Sequence, residues 1–170
     1  MGNRDGPARV VLPMKRSLLG AVVIVIVAAC GASPAGSVSP SSSNAGGAAG
    51  LLADLQRAGA ATSPQGTFAP DPLPGRGVLL CVNGEVVRLY VYSSTAERAQ
   101  ATARIDRNDP SHVGSAMVDW VGRPRFWQRD RIAVLYLGPT QATETLLTSV
   151  LGMPFARGQG GLPSQTEACR

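Results

Sequence analysis

The sequence predicts an α+β fold: an antiparallel sheet of about four to five strands, built from two hairpins, with helices packed mainly on one face. Three observations predict it. Asn83-Gly84 stands between two β-rich runs, residues 78–82 and 85–92. This is a strong hairpin signal, because a type I′ turn needs two residues at positive φ. Residues 132–137 (Ile-Ala-Val-Leu-Tyr-Leu) form an unbroken apolar run that suits a central strand buried on both faces. Helical patterns separate these runs, giving the order α-ββ-α-βββ-α.

Each element follows from local chemistry. Leu51, Leu52, Leu55 and Ala58 share one helical face, and Gly59 suits its stop. Residues 60–77 carry four prolines and three glycines, so an irregular excursion is expected, with a short strand near Phe68. Ser94-Thr95-Ala96-Glu97 is a capping box opening a helix whose apolar side is small: Ala96, Ala99, Ala103 and Ile105. Residues 106–110 read as a loop. Residues 115–121 and 125–128 read as strands broken by Gly122 and Pro124, and Arg129-Asp130 turns the chain into the central strand. Thr140 then caps a last helix with Leu146, Leu147, Val150 and Leu151 inward, stopped by Gly152 and Pro154.

The composition is uneven along the chain. All eight aromatic residues lie between positions 68 and 155, which places the folded part at 51–156. Residues 31–50 carry no charge and almost nothing to bury, as expected of a disordered Gly/Ala/Ser/Pro tether with an r.m.s. reach of roughly 25 Å. Residues 157–170 form a polar tail. In front of the tether, Met14-Lys15-Arg16 is a basic n-region, residues 18–29 are apolar, and Ala28-Ala29-Cys30 closes the run with small residues. Twelve apolar residues rise about 18 Å as a helix, short of the roughly 30 Å of a hydrocarbon core, which favours a cleaved signal peptide at 1–29 over a spanning helix. Residues 1–13 do not fit an export signal, which marks Met14 as a candidate true start.

Val27-Ala28-Ala29-Cys30 resembles the lipobox of bacterial lipoproteins, with Val27 where Leu is commonest. That resemblance implies that the Cys30 thiol is acylated and becomes the mature N-terminus, anchoring the chain to membrane lipid on the extracytoplasmic face. An ordinary signal peptide and an uncleaved anchor are the alternatives. Residues 82–85 (Val-Asn-Gly-Glu), 117–120 (Met-Val-Asp-Trp) and 132–138 are similar in order and spacing to small uncharacterised bacterial lipoproteins with a C-terminal α+β domain. This second resemblance covers roughly residues 51–156 and implies architecture and location only.

With Cys30 assigned by the lipobox, Cys81 and Cys169 remain as an even pair in a compartment that permits disulfides, and a bridge between them is expected to pin the tail onto the sheet. Two reduced thiols are the alternative. Removing residues 1–29 takes away four basic residues and one acid, lowering the formal net charge from +5 to +2. That is too little for a nucleic-acid footprint.

Candidate chemistry is sparse. His112 is the single histidine, which disfavours multi-His metal sites. Ser111 or Ser115 with His112 and Asp109 or Asp119 would be needed for a serine hydrolase, and no Gly-x-Ser-x-Gly elbow is present. Asp106, Asn108 and Asp109 lack the remaining ligands of a calcium loop. The most suggestive cluster is Arg123, Arg125, Arg129 and Arg131 interleaved with Trp127, a possible ligand surface for anionic or planar groups, or simply a charged hairpin edge. Trp127 can face either side, since both strand faces carry apolar residues. The expectation is a lipid-anchored cell-envelope protein with no catalytic residues, no metal and no cofactor, a binding or structural module whose partner is an envelope protein, a polymer or a small ligand. The alternative is a small exported hydrolase-like enzyme.

Overall fold

The computed structural model describes residues 47–159 and 168–169; residues 1–46, including the signal, Cys30 and most of the tether, lie outside the described residues. The architecture is α+β. Six strands, all paired antiparallel, form one sheet in the order β1-β2-β3-β7-β6-β8: β1 (Thr62–Phe68), β2 (Arg76–Val82), β3 (Glu85–Val91), β6 (Arg125–Arg129), β7 (Ile132–Tyr136) and β8 (Ala156–Arg157). Three helices accompany it, α1 (Ala48–Arg57), α2 (Thr95–Thr102) and α3 (Gln141–Leu151), with a separate two-stranded hairpin of β4 (His112–Val113) and β5 (Ala116–Met117).

The Asn83-Gly84 turn forms with φ 51° and 85°, fixing the β2–β3 register at Val82 opposite Glu85. Because side chains alternate along a strand, this register decides the chemistry of both sheet faces. One face presents Val78, Leu80 and Val82 of β2, Val87 and Leu89 of β3, Val134 of β7 and Trp127 of β6. Leu51 and Leu55 of α1 and Leu147 of α3 close over it. The other face presents Tyr90, Ala133, Leu135 and Phe126, covered by Ala101 of α2, Ile105 and Val113. β7 is buried along its whole length, as its apolar run requires.

Several expectations are corrected. The short strand expected near Phe68 forms as edge strand β1 and is longer than expected, and β8 adds a second edge. Pro64 and Gly66 sit inside β1, and the pairing shifts between them, which an edge position tolerates because its outer side lacks a neighbour. Residues 115–121 do not join the sheet: Gly114 (φ 64°) folds β4 back on β5 instead. α1 begins at Ala48, so residues 48–50 belong to the helix and not to the tether. In α2 the Ser94 side chain accepts from the Glu97 N–H at 3.1 Å, as a capping residue should. Ala96, Ala99 and Ala103 nevertheless face solvent, and Ala101 and Thr102 face inward. Alanine gains little from burial, so the helix is oriented by its long polar neighbour: Arg98 donates to Gln128 Oε1 at 2.6 Å and to the Asp130 carbonyl at 3.1 Å.

Candidate functional site

The arginine cluster does not form a surface. β6 places Arg125, Trp127 and Arg129 on the face closed by α1 and α3, and Arg125 and Trp127 are buried. Arg125 stands beside Tyr136 across the β6–β7 pair, its guanidinium 4.7 Å from the ring centroid. Its Nε lies 3.0 Å from Glu144 Oε2, and it donates to the Gly138 carbonyl at 2.6 Å and the Arg123 carbonyl at 2.7 Å. Arg157 of β8 approaches Glu144 from the other side at 2.7 Å. Burial holds the Arg125 guanidinium below its ordinary pKa, and the Glu144 carboxylate opposes that shift. Arg129 bridges to Asp54 of α1 at 2.7 Å. Asp54 lies below the usual carboxylate range because Arg57 and Arg129 both bond to it. Arg123 is exposed, and Arg131 lines a groove beside the start of α1. The expected ligand surface at Arg123, Arg125, Trp127, Arg129 and Arg131 is therefore split, with its central members serving as internal struts.

A second polar cluster adjoins the first. Glu85, at the start of β3, accepts hydrogen bonds from the hydroxyls of Tyr136, Thr140 and Thr143. Thr140 thus spends its side chain on Glu85 and does not cap α3 with it. Burial, reinforced by Glu85, pushes the Tyr136 phenol up to about 12. No sequence signal singled out Glu85 or Glu144; only the register, which sets Glu85 against the first turn of α3, brings them inward.

The two remaining cysteines meet. Cys81 and Cys169 form a disulfide with Cα atoms 5.7 Å apart. The Cys169 N–H donates to the Gly84 carbonyl at 3.1 Å, and Ala168 bridges to Glu85. The tail end is thereby fastened to the hairpin.

Of the residues weighed for catalysis, Asp109, Ser111 and His112 gather on an exposed stretch. Asp109 Oδ2 lies 2.9 Å from His112 Nδ1 on an exposed loop. Hydrogen bonds from Ser111, aided by His112, hold the Asp109 carboxyl low, so that serine serves the aspartate and not the imidazole. Asp106 accepts from the backbone of Asn108 and Asp109. Among the described residues no group of three or more His, Cys, Asp or Glu side chains is placed to hold a metal ion, and no helix is long and apolar enough to cross a membrane.

An open groove of about 260 Å³ lies on the opposite sheet face, lined by Leu79, Arg88 and Tyr90 of the sheet together with Phe68, Asp71 and Trp120. Phe68 reaches Tyr90 edge-to-face, with centroids 5.3 Å apart. Gly77, opposite Phe68 in the β1–β2 register, makes this possible. A Cβ there would sit 2.4 Å from the Phe68 carbonyl and 2.9 Å from its ring. Trp120 packs edge-on against Phe126 at 5.7 Å and donates its indole N–H to the Pro110 carbonyl at 3.0 Å. Burial pushes the Tyr90 phenol up to about 12; Arg88 acts against that rise and Asp71 adds to it. None of these groove residues formed a motif in the sequence. Comparison with family models, characterised proteins and solved structures finds no match to the chain.

Proposed function

We propose that this chain is a lipid-anchored, non-catalytic binding module of the cell envelope, held on the extracytoplasmic face of the membrane through acylated Cys30. The observation that carries the reading is the Cys81–Cys169 bridge. Structural disulfides belong to oxidising compartments, which agrees with the export signal read at residues 14–30. The pairing also leaves Cys30 as the remaining one of three cysteines. The binding role is supported by the open aromatic groove. Against it, the hydrolase-like reading rests on the Asp109–His112 contact, which lies on an exposed loop where Ser111 is engaged by Asp109. A hydrolytic site needs its nucleophile, base and orienting acid converging in a pocket.

Replacing the lipidated residue tests the anchor. The full chain is expected in the membrane fraction and in the detergent phase after partition, and Cys30→Ala in the aqueous phase. A Cys30→Ala chain that partitions like the original would overturn the proposal.

A further inference from the structure

We propose that Asn83 is a conformation-gated deamidation site: contacts from Ala61 and Cys169 hold it closed, and reducing the Cys81–Cys169 bridge opens it to attack by the Gly84 backbone nitrogen. This modification site goes beyond the anchored-module reading and stands without it.

The chemistry needs only the two turn residues and water. The Gly84 nitrogen gives up its proton to hydroxide and bonds to Asn83 Cγ, closing a succinimide ring. The Cγ–Nδ2 bond breaks, and Nδ2 takes a proton from water and leaves as ammonia. A water molecule then opens the ring at either carbonyl carbon, adding its hydroxyl there and returning a hydrogen to the Gly84 nitrogen. Opening at the main-chain carbonyl routes the backbone through Cβ and Cγ, giving an isoaspartate with one extra backbone carbon. Opening at Cγ gives an aspartate in an unaltered backbone. Nothing is oxidised or reduced. Asn83 and Gly84 are both exposed, and glycine has no side chain to shield its nitrogen. Beyond the chain neighbours, nothing lies within 4 Å of where a Gly84 Cβ would stand.

The gate is built from two sides. Ala61, just before β1, donates its N–H to Asn83 Oδ1 at 3.0 Å, and its carbonyl accepts from the Asn83 N–H at 2.8 Å. Carrying Cγ to the Gly84 nitrogen takes Oδ1 away from Ala61, so the ring cannot close until this contact breaks. From the tail, the Cys169 N–H donates to the Gly84 carbonyl at 3.1 Å, and Ala168 bridges to Glu85. These contacts restrain the glycine whose nitrogen must turn toward Cγ. The disulfide keeps Cys169 against the hairpin, because Cys81 lies on β2. Once it is reduced, two neutral hydrogen bonds are left to hold the tail there, and local opening becomes more frequent. A chain that never meets an oxidising compartment lacks this latch. The isoaspartate product cannot keep Val82 opposite Glu85, since its extra carbon lengthens the turn between them.

The test incubates the full chain in detergent at mildly alkaline pH in three states: oxidised, reduced with dithiothreitol, and reduced in urea. Peptide mapping follows the conversion of Asn83 and separates aspartate from isoaspartate. Conversion is expected to be slowest in the oxidised chain, at least about tenfold faster in the reduced folded chain, and fastest in urea. Circular dichroism checks that the reduced chain is folded. Should it unfold, Ala61→Pro with the bridge intact replaces it. That variant deletes the N–H that holds Oδ1 and should show the same acceleration. Three results overturn the proposal: equal rates in the oxidised and opened chains, no conversion of Asn83 in the opened chain, or an oxidised chain that converts as fast as the one in urea.

Discussion

The two faces of the β2–β3 hairpin are built from alternate residues of the same fourteen positions, yet they end in opposite states. On one face Val78, Leu80, Val82, Val87 and Leu89 are buried beneath α1 and α3, and even the charged Glu85 is enclosed there. On the other, Tyr90 is buried but Leu79, Cys81, Val86 and Arg88 stay half-buried, and the aromatic groove opens over Leu79 and Arg88. Charge is spent differently on each. Arg125, Glu144 and Glu85 are enclosed with partners, and their role is to let the closed face be complete. Arg88 and Asp71 line the groove. A cluster of arginines in sequence is therefore no guide to a binding surface until the register says which face each one joins.

Breaking the closed face should have the largest effect. Arg125→Ala leaves Glu144 buried without its inner partner, and losing one member of a buried pair costs about 3–5 kcal/mol. Urea unfolding of the two chains measures it. A loss within that of an ordinary surface change would mean the pair is not enclosed as described. Arg125→Met with Glu144→Gln should recover part of the stability, since the cost lies in the orphaned charge.

The open face depends on a covalent fastening. Reducing Cys81–Cys169, which closes a span of 88 residues, should lower stability by about 2–4 kcal/mol, with chain entropy setting an upper value near 4–5. Thermal melts with and without reductant check this. An unchanged melting temperature would mean that the tail contributes nothing to the hairpin.

How far these two faces could be read in advance depended on how local their causes are. The Asn83-Gly84 hairpin was legible because the turn's backbone needs are met by two adjacent residues. The all-apolar β7 was legible because no neighbour has to be known to recognise it. The cysteine pairing followed once Cys30 was set aside. Trp127 was ambiguous for a physical reason: both faces of β6 carry apolar side chains, and only its position opposite Val134 decides which way it points. The strand near Phe68 was legible, but its extension back through Pro64 and Gly66 to Thr62 was not, since these are residues that an edge strand accepts and a central one would not. The groove was invisible because Phe68 with Asp71, Arg88 and Trp120 come from three separate stretches that meet only in the fold.

A smaller effect separates hydrogen bonding from packing within the closed face. Tyr136→Phe removes one of three hydroxyls from Glu85 and should cost about 1–3 kcal/mol. It should also flatten the alkaline limb. The Tyr136 and Tyr90 phenols are raised to about 12, against an ordinary value near 10. Their neutral forms are therefore favoured in the fold. That contribution is full below about pH 10 and is lost as pH rises through 12. Unfolding free energies measured from pH 9 to 12 should fall along this window, and less steeply in Tyr136→Phe. Smallest of all, Arg123→Ser at an exposed position should stay within about 0.5 kcal/mol of the parent. A larger change by the same urea assay would place Arg123 among the struts.

The central claim joins the anchor to the fastened domain, and intact-mass and peptide mapping of the chain extracted from membranes test both at once. The account predicts a mature N-terminus at Cys30 carrying acyl mass, together with a Cys81–Cys169 peptide pair that alkylates only after reduction. A chain retaining residues before Cys30, with both later thiols alkylated directly, would contradict it.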